Sequence, residues 1–108
     1  MPRNYKLYLN DIIKSINHIE EYIKGVSQDG FLKNQLLQDA VIRNLEIIGE
    51  AVKNLPEDIT KTDEYFWGKY ARIRDLVAHF YFGVNYSIIW GLTKNDLSEL
   101  KTEVTKLL

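Results

Sequence analysis

The segment FWGKYARIRDLVAHFYF, residues 66 to 82, carries Arg74, Asp75 and His79 within two helical turns. On a helix of about 100° per residue, three faces separate. Phe66, Tyr70, Ile73, Val77 and Phe80 form an apolar core face; Trp67, Ala71, Arg74, Ala78 and Tyr81 form the next; Gly68, Arg72, Asp75, His79 and Phe82 form the third. Asp75 and His79 stand four apart on one face. At that spacing the carboxylate can accept from one imidazole nitrogen and leave the other for acid or base work. Arg74 and His79 diverge by about 140°, too far for one helix to aim both at one phosphate with ease. Two copies facing each other across a two-fold axis remove the difficulty. Ala71 and Ala78 beside Arg74 leave room for a neighbouring helix.

An arginine and a histidine without metal ligands suit one reaction well. RNA carries its own nucleophile in the 2'-hydroxyl; an imidazole, with an ordinary pKa of about 6.5, can take or return the proton, and a guanidinium can stabilise charge on the phosphate oxygens. DNA lacks the 2'-hydroxyl and should resist. Acid and base are both wanted, and His79 is the one plausible catalytic histidine, so two copies of it would fill the two roles. The same residues also occur on helices as ordinary surface pairs. Lys69 and Arg72 can add phosphate contacts, or simply form a solvated basic face.

These residues must be held by helices. The 108 residues make one domain, residues 1 to 108, whose core needs neither metal nor disulfide. There is no cysteine, and 14 Lys and Arg against 15 Asp and Glu exclude a strongly basic chain that grips nucleic acid by bulk charge. No signal peptide or long apolar run is visible, so the sequence predicts a soluble cytoplasmic protein without membrane contact. Apolar residues recur at three and four from Leu9 to Val26, with a break at Gly25 and Ser27 to Gly30, and again from Leu36 to Leu55, stopped by Pro56. A third stripe runs from Phe66 to Phe80, entered through Thr62 or Asp63 as cap and ended by Gly83. Asn85 caps a fourth segment, and Asn95 or Asp96 a fifth that carries Leu97, Leu100, Val104 and Leu107. The pattern predicts an all-α, antiparallel bundle of four helices, or five if the last splits.

Other residues invite milder readings. Tyr5, Tyr8, Tyr22, Tyr65 and Tyr86 read as half-buried packing aromatics on separate helices. His18, among Asn17, Glu20 and Glu21, reads as solvated. Glu46 and Glu50 are spaced like acid ligands, but no histidine completes a di-iron pattern, so no metal and no cofactor are expected. Gly49, costly inside a helix, marks a close helix crossing or an interface.

The run from Arg74 to Tyr81 resembles the Arg, polar residue, four-residue gap to His, then x-Tyr pattern of HEPN domains of the HepT (DUF86) type. RNLEIIGEAVKNLP at Arg43 to Pro56, and HFYFGVN followed by IIW, extend the likeness over nearly the whole chain. The resemblance implies a HEPN-like bundle that dimerises into a composite, metal-independent endoribonuclease toxin. Arg74 and His79 would be catalytic, with Asp75 the supporting polar residue. It also implies a partner, a minimal nucleotidyltransferase (MntA-like) antitoxin that adenylates Tyr81. A phosphate added there would sit on Arg74's face and block the cleft. The competing reading is a non-catalytic helical subunit that docks a nucleotidyltransferase and helps hold its substrate.

Overall fold

Helices in this chain start where a short polar side chain can receive the first free backbone amides. The computed structural model describes residues 4–80 and 85–108, with the side chains of residues 78–80 outside the description. The described residues form α1 (Tyr5–Ile23), α2 (Gln28–Leu32), α3 (Gln35–Lys53), α4 (Glu57–Thr60), α5 (Glu64–Ala71), α6 (Ile73–Phe80), α7 (Tyr86–Gly91) and α8 (Leu97–Lys106). Asn4, Ser27, Asn34, Asp63 and Asn85 cap α1, α2, α3, α5 and α7 through their side chains. α5 runs on into α6, and α7 into α8 through a π-helical turn at Leu92–Asp96. Four long arms result, and no strand occurs among the described residues: the fold is an all-α bundle.

The core is built on α1 and α3. Leu9, Ile12, Ile16 and Ile19 face Val41, Leu45, Ile48 and Val52, all shut off from water. The two helices run antiparallel: His18, late in α1, bonds Asn44, while Tyr8 and Asp11, early in α1, share a groove with Glu50 and Ala51 at the far end of α3. Leu97, Leu100 and Val104 of α8 close the bundle over α1, where Lys101 reaches Glu20 at 3.4 Å. No helix among the described residues is long and apolar enough to cross a membrane.

Several boundaries differ from those the periodicity implies. The first helix stops at Ile23, with Gly25 at φ 73°, a left-handed conformation that glycine adopts without strain. The polar cluster after it is not a simple break: Ser27 caps α2, and Phe31 swings into the core against the Trp90 ring, with centroids 5.3 Å apart. The connection before α5 is itself helical, as α4 and a 3-10 turn at Lys61–Asp63. Asp63, one of the two expected caps, accepts from the Phe66 amide. Asp96 makes no cap bond with its side chain, because the π-helical turn carries the backbone straight into α8.

The third stripe is two helices. Arg72, at φ −80° and ψ −4°, separates α5 from α6, although its amide still bonds the Gly68 carbonyl and its carbonyl still accepts from Leu76. Neither proline nor glycine marks the place, so side-chain periodicity carries no signal for it. The predicted core face still continues across Arg72, with Tyr70, Ile73 and Val77 all buried, whereas the face drawn through Trp67 and Arg74 does not. Trp67 is buried with the core rather than sharing Arg74's outer face. The expected stop at Gly83 lies outside the described residues.

Two polar expectations change. Tyr65 is 83% exposed and packs on nothing extensive, unlike the half-buried Tyr8 and Tyr86. His18 is not simply solvated: its Nδ1 lies 3.3 Å from Oδ1 of the buried Asn44, and its ring stacks on Tyr22. That contact satisfies an amide whose own nitrogen donates to the Ala40 carbonyl.

Tyr70 is the largest fully buried side chain, and its hydroxyl donates to the Asp96 carbonyl at 2.8 Å and approaches Glu99 Oε2 at 3.2 Å. Burial first, then the charges of Glu99 and Asp96, push its ionisation well above the usual tyrosine range. The folded state thus prefers the neutral phenol. This contribution is intact below about pH 10, where an unfolded tyrosine begins to ionise, and declines as pH rises further. Urea denaturation at pH 9 and pH 11 should show a steep loss of stability in the wild type and a shallower one in Tyr70→Phe. At pH 7 that substitution should cost about 1 kcal/mol for the lost hydrogen bonds.

Candidate functional site

The candidate residues begin at the first turn of α6, whose place is set by its neighbours. Ile73 and Val77 bury the inner edge of the helix and leave Arg74 and Asp75 on the outer one. The crossing with α3 is close. A β-carbon added at Gly49 would lie 2.9 Å from the Arg74 backbone nitrogen and 3.3 Å from its Cβ, so only glycine allows this approach. Gly49 thus serves a helix crossing, and the helix it admits is the one that carries Arg74.

The outer edge of α3 also supplies charge partners. Arg74 Nη1 donates to Glu50 Oε2 at 2.7 Å, and Lys53 Nζ lies 3.7 Å from Asp75 Oδ1. The two pairs tether successive residues of α6 to successive turns of α3. The Arg74 side chain remains 57% exposed. With Glu50 it lines an open groove of about 360 Å³, walled also by Tyr8 and Asp11 of α1 and by Arg43 and Glu46 of α3. Glu46 leans toward Arg43, at 3.9 Å, and Glu50 toward Arg74, so the two glutamates pair with separate arginines.

The remaining candidates divide. Arg72 is exposed at the break between α5 and α6, its guanidinium lying along Gly68 rather than beside Arg74 in the groove. Lys69 is not available as a phosphate contact: its ammonium is 3.3 Å from Asp96 Oδ1 and 4.0 Å from Glu99 Oε2, and 5.3 Å above the Tyr70 ring centre. Two carboxylates claim it, Asp96 at the end of the π-helical turn and Glu99 on α8. His79 lies on α6 one turn beyond Asp75, and its side chain, with the expected Asp75–His79 contact, is outside the described residues. So is Tyr81.

An outward arginine at the start of a helix that carries a histidine five residues on is the pattern of a particular family, and comparison with known proteins decides the matter. The ribonuclease HepT-like family matches residues 12–107. The chain belongs to the HepT-like ribonuclease family. A Thermococcus cleftensis relative named "Probable ribonuclease HepT" is 44% identical over 99% of this chain and 98% of its own length. A Caldanaerobacter subterraneus relative named "Putative RNase" is 42% identical over 94% of this chain and 91% of its own. A Methanocaldococcus jannaschii protein named "Gamma-glutamylcyclotransferase and putative RNase" is 43% identical over the whole chain, which spans only 49% of that relative. No solved structure matches the chain.

In this HepT-like protein the partners of Arg74 and Asp75 are not legible in local spacing. Beside Glu46, Glu50 is spaced like a metal ligand, and nothing in the local spacing singles out Lys53. The one sequence signal toward them is Gly49: a glycine inside a long amphipathic helix marks where another helix crosses, and its outward neighbours are placed to meet that helix.

Proposed function

We infer that this HepT-like chain is the toxin of a toxin–antitoxin pair, a cytoplasmic endoribonuclease whose composite site forms between two copies. The observation that carries the reading is the family's arginine at Arg74, held outward in an open groove with Glu50 its one bonded partner among the described residues, on the helix that also carries His79. A guanidinium has five N–H donors, and the contact with Glu50 uses one. In the proposed reaction, neutral His79 of one copy takes the 2'-hydroxyl proton as O2' attacks phosphorus. Arg74 holds the non-bridging oxygens as charge builds, the bond from phosphorus to O5' breaks, and protonated His79 of the second copy delivers a proton to O5'. The products are a 2',3'-cyclic phosphate and a free 5'-hydroxyl. Asp75 supports the site from the same helix, and Arg72 offers a further phosphate contact at its edge.

The test is incubation of purified protein with RNA in EDTA, with the ends of the fragments analysed for cyclic phosphate. Sedimentation should give about twice the chain mass of 12.7 kDa. A monomer at working concentration contradicts a shared site.

Control of the toxin is assigned to a minimal nucleotidyltransferase partner that adenylates Tyr81. Co-expression with that partner should raise the toxin's mass by multiples of one AMP and silence cleavage, and Tyr81→Phe should abolish both effects. A mass unchanged by the partner counts against this control.

A further inference from the structure

The geometry points to Glu50 as a positioning residue for Arg74, a role that rests on the nuclease reading above. Arg74 is held at two points by α3. Its backbone sits against Gly49, and its tip donates from Nη1 to Glu50 Oε2 at 2.7 Å, across 24 residues of sequence. Lys53, one turn further along α3, tethers Asp75 in the same direction.

Stability is not the reason for the contact. The Arg74 and Glu50 side chains are 57% and 53% exposed, and exposed ion pairs add little to folding. Attraction of substrate is not the reason either, because a carboxylate in the groove repels a phosphate. What Glu50 supplies is an acceptor in a fixed place. A long, flexible side chain is confined to one direction at the expense of a single donor, in the groove that Arg74 and Glu50 both line. Glu46 does not share the task, since it leans toward Arg43.

The experiment compares kcat and KM for RNA cleavage by wild type, Arg74→Ala, Glu50→Ala and Glu50→Gln, with thermal denaturation of each. Glu50→Ala should lose about 10- to 100-fold in kcat, because a misdirected guanidinium misses the developing charge. Its KM should be no higher than that of the wild type, because a repelling charge has gone, and its melting temperature should hardly move. Glu50→Gln keeps an acceptor oxygen and should recover most of kcat. A kcat for Glu50→Ala within about twofold of wild type overturns the assignment. A rise in KM at unchanged kcat does so too, since it makes Glu50 a substrate contact. Equal loss in Glu50→Ala and Glu50→Gln also overturns it, by giving the role to the charge or a proton. A wild type no more active than Arg74→Ala removes the nuclease reading itself and the role of Glu50 with it.

Discussion

Arg74→Ala and His79→Ala are each expected to abolish metal-independent RNA cleavage, with a fall of about 10²- to 10⁴-fold. Removing a preorganised donor to developing charge costs about 10²- to 10³-fold, and removing a general acid or base about 10²- to 10⁴-fold. In a site built from two copies, either substitution strips a group from both halves at once. Arg74→Lys should fail nearly as badly. An ammonium is a point charge without the planar fork that meets Glu50 on one side and, in the proposed reaction, a phosphate on the other. The fold should survive, since the Arg74 side chain is largely exposed and its only bonded partner among the described residues is the equally exposed Glu50. Denaturation of Arg74→Ala should therefore show a stability within about 1 kcal/mol of wild type. Comparable cleavage by the variants and the wild type sinks both site residues, and favours a helical subunit that binds without cutting.

Gly49→Ala is expected to damage both stability and activity, against the usual sign for such a change. Inside a helix, alanine is normally better than glycine by up to about 1 kcal/mol. Here the new methyl would lie 2.9 Å from the Arg74 backbone nitrogen, and backbone cannot swing aside as the end of a side chain can. α6 must move away from α3, and overpacking of this kind costs about 1–3 kcal/mol. The displacement falls on the proposed catalytic arginine, so cleavage should drop by up to about 10²-fold, more than the loss of stability explains. Gly68→Ala is the matched control. A β-carbon there would meet only the Arg72 guanidinium at 3.2 Å, a flexible tip that can turn away, so that variant should be as stable as wild type or more so. Should Gly49→Ala match wild type in both melting and cleavage, the crossing is looser than the structure has it.

Much of the bundle was legible along the chain because one period governs it. The stripes from Leu9 to Ile23 and from Val41 to Leu55 are the buried faces of α1 and α3, and Asp63 and Asn85 are caps where their types suggest. What periodicity missed are places where the backbone turns without a breaker residue. The break at Arg72 keeps its flanking hydrogen bonds, and the π-helical turn at Leu92–Asp96 joins two segments that looked separately capped. Phe31 was missed for another reason. With Leu32 it sits between the polar residues 27–30 and 33–35, and two adjacent apolar residues set no helical period.

The residue types at Arg74, Asp75 and His79, the face each takes on its helix and the need for a close crossing at Gly49 follow from the chain alone, because 3.6 residues per turn relate neighbours on one helix whatever surrounds them. Which helix crosses at Gly49, why Arg74 meets Glu50 rather than Asp75, and why Lys69 is spent on Asp96 and Glu99 depend on how α3, α5, α6 and α8 lie against one another. Those contacts join residues 24 or more positions apart. Only the packing of the whole core decides them, since local spacing constrains a side chain's direction from its own axis but not what stands opposite.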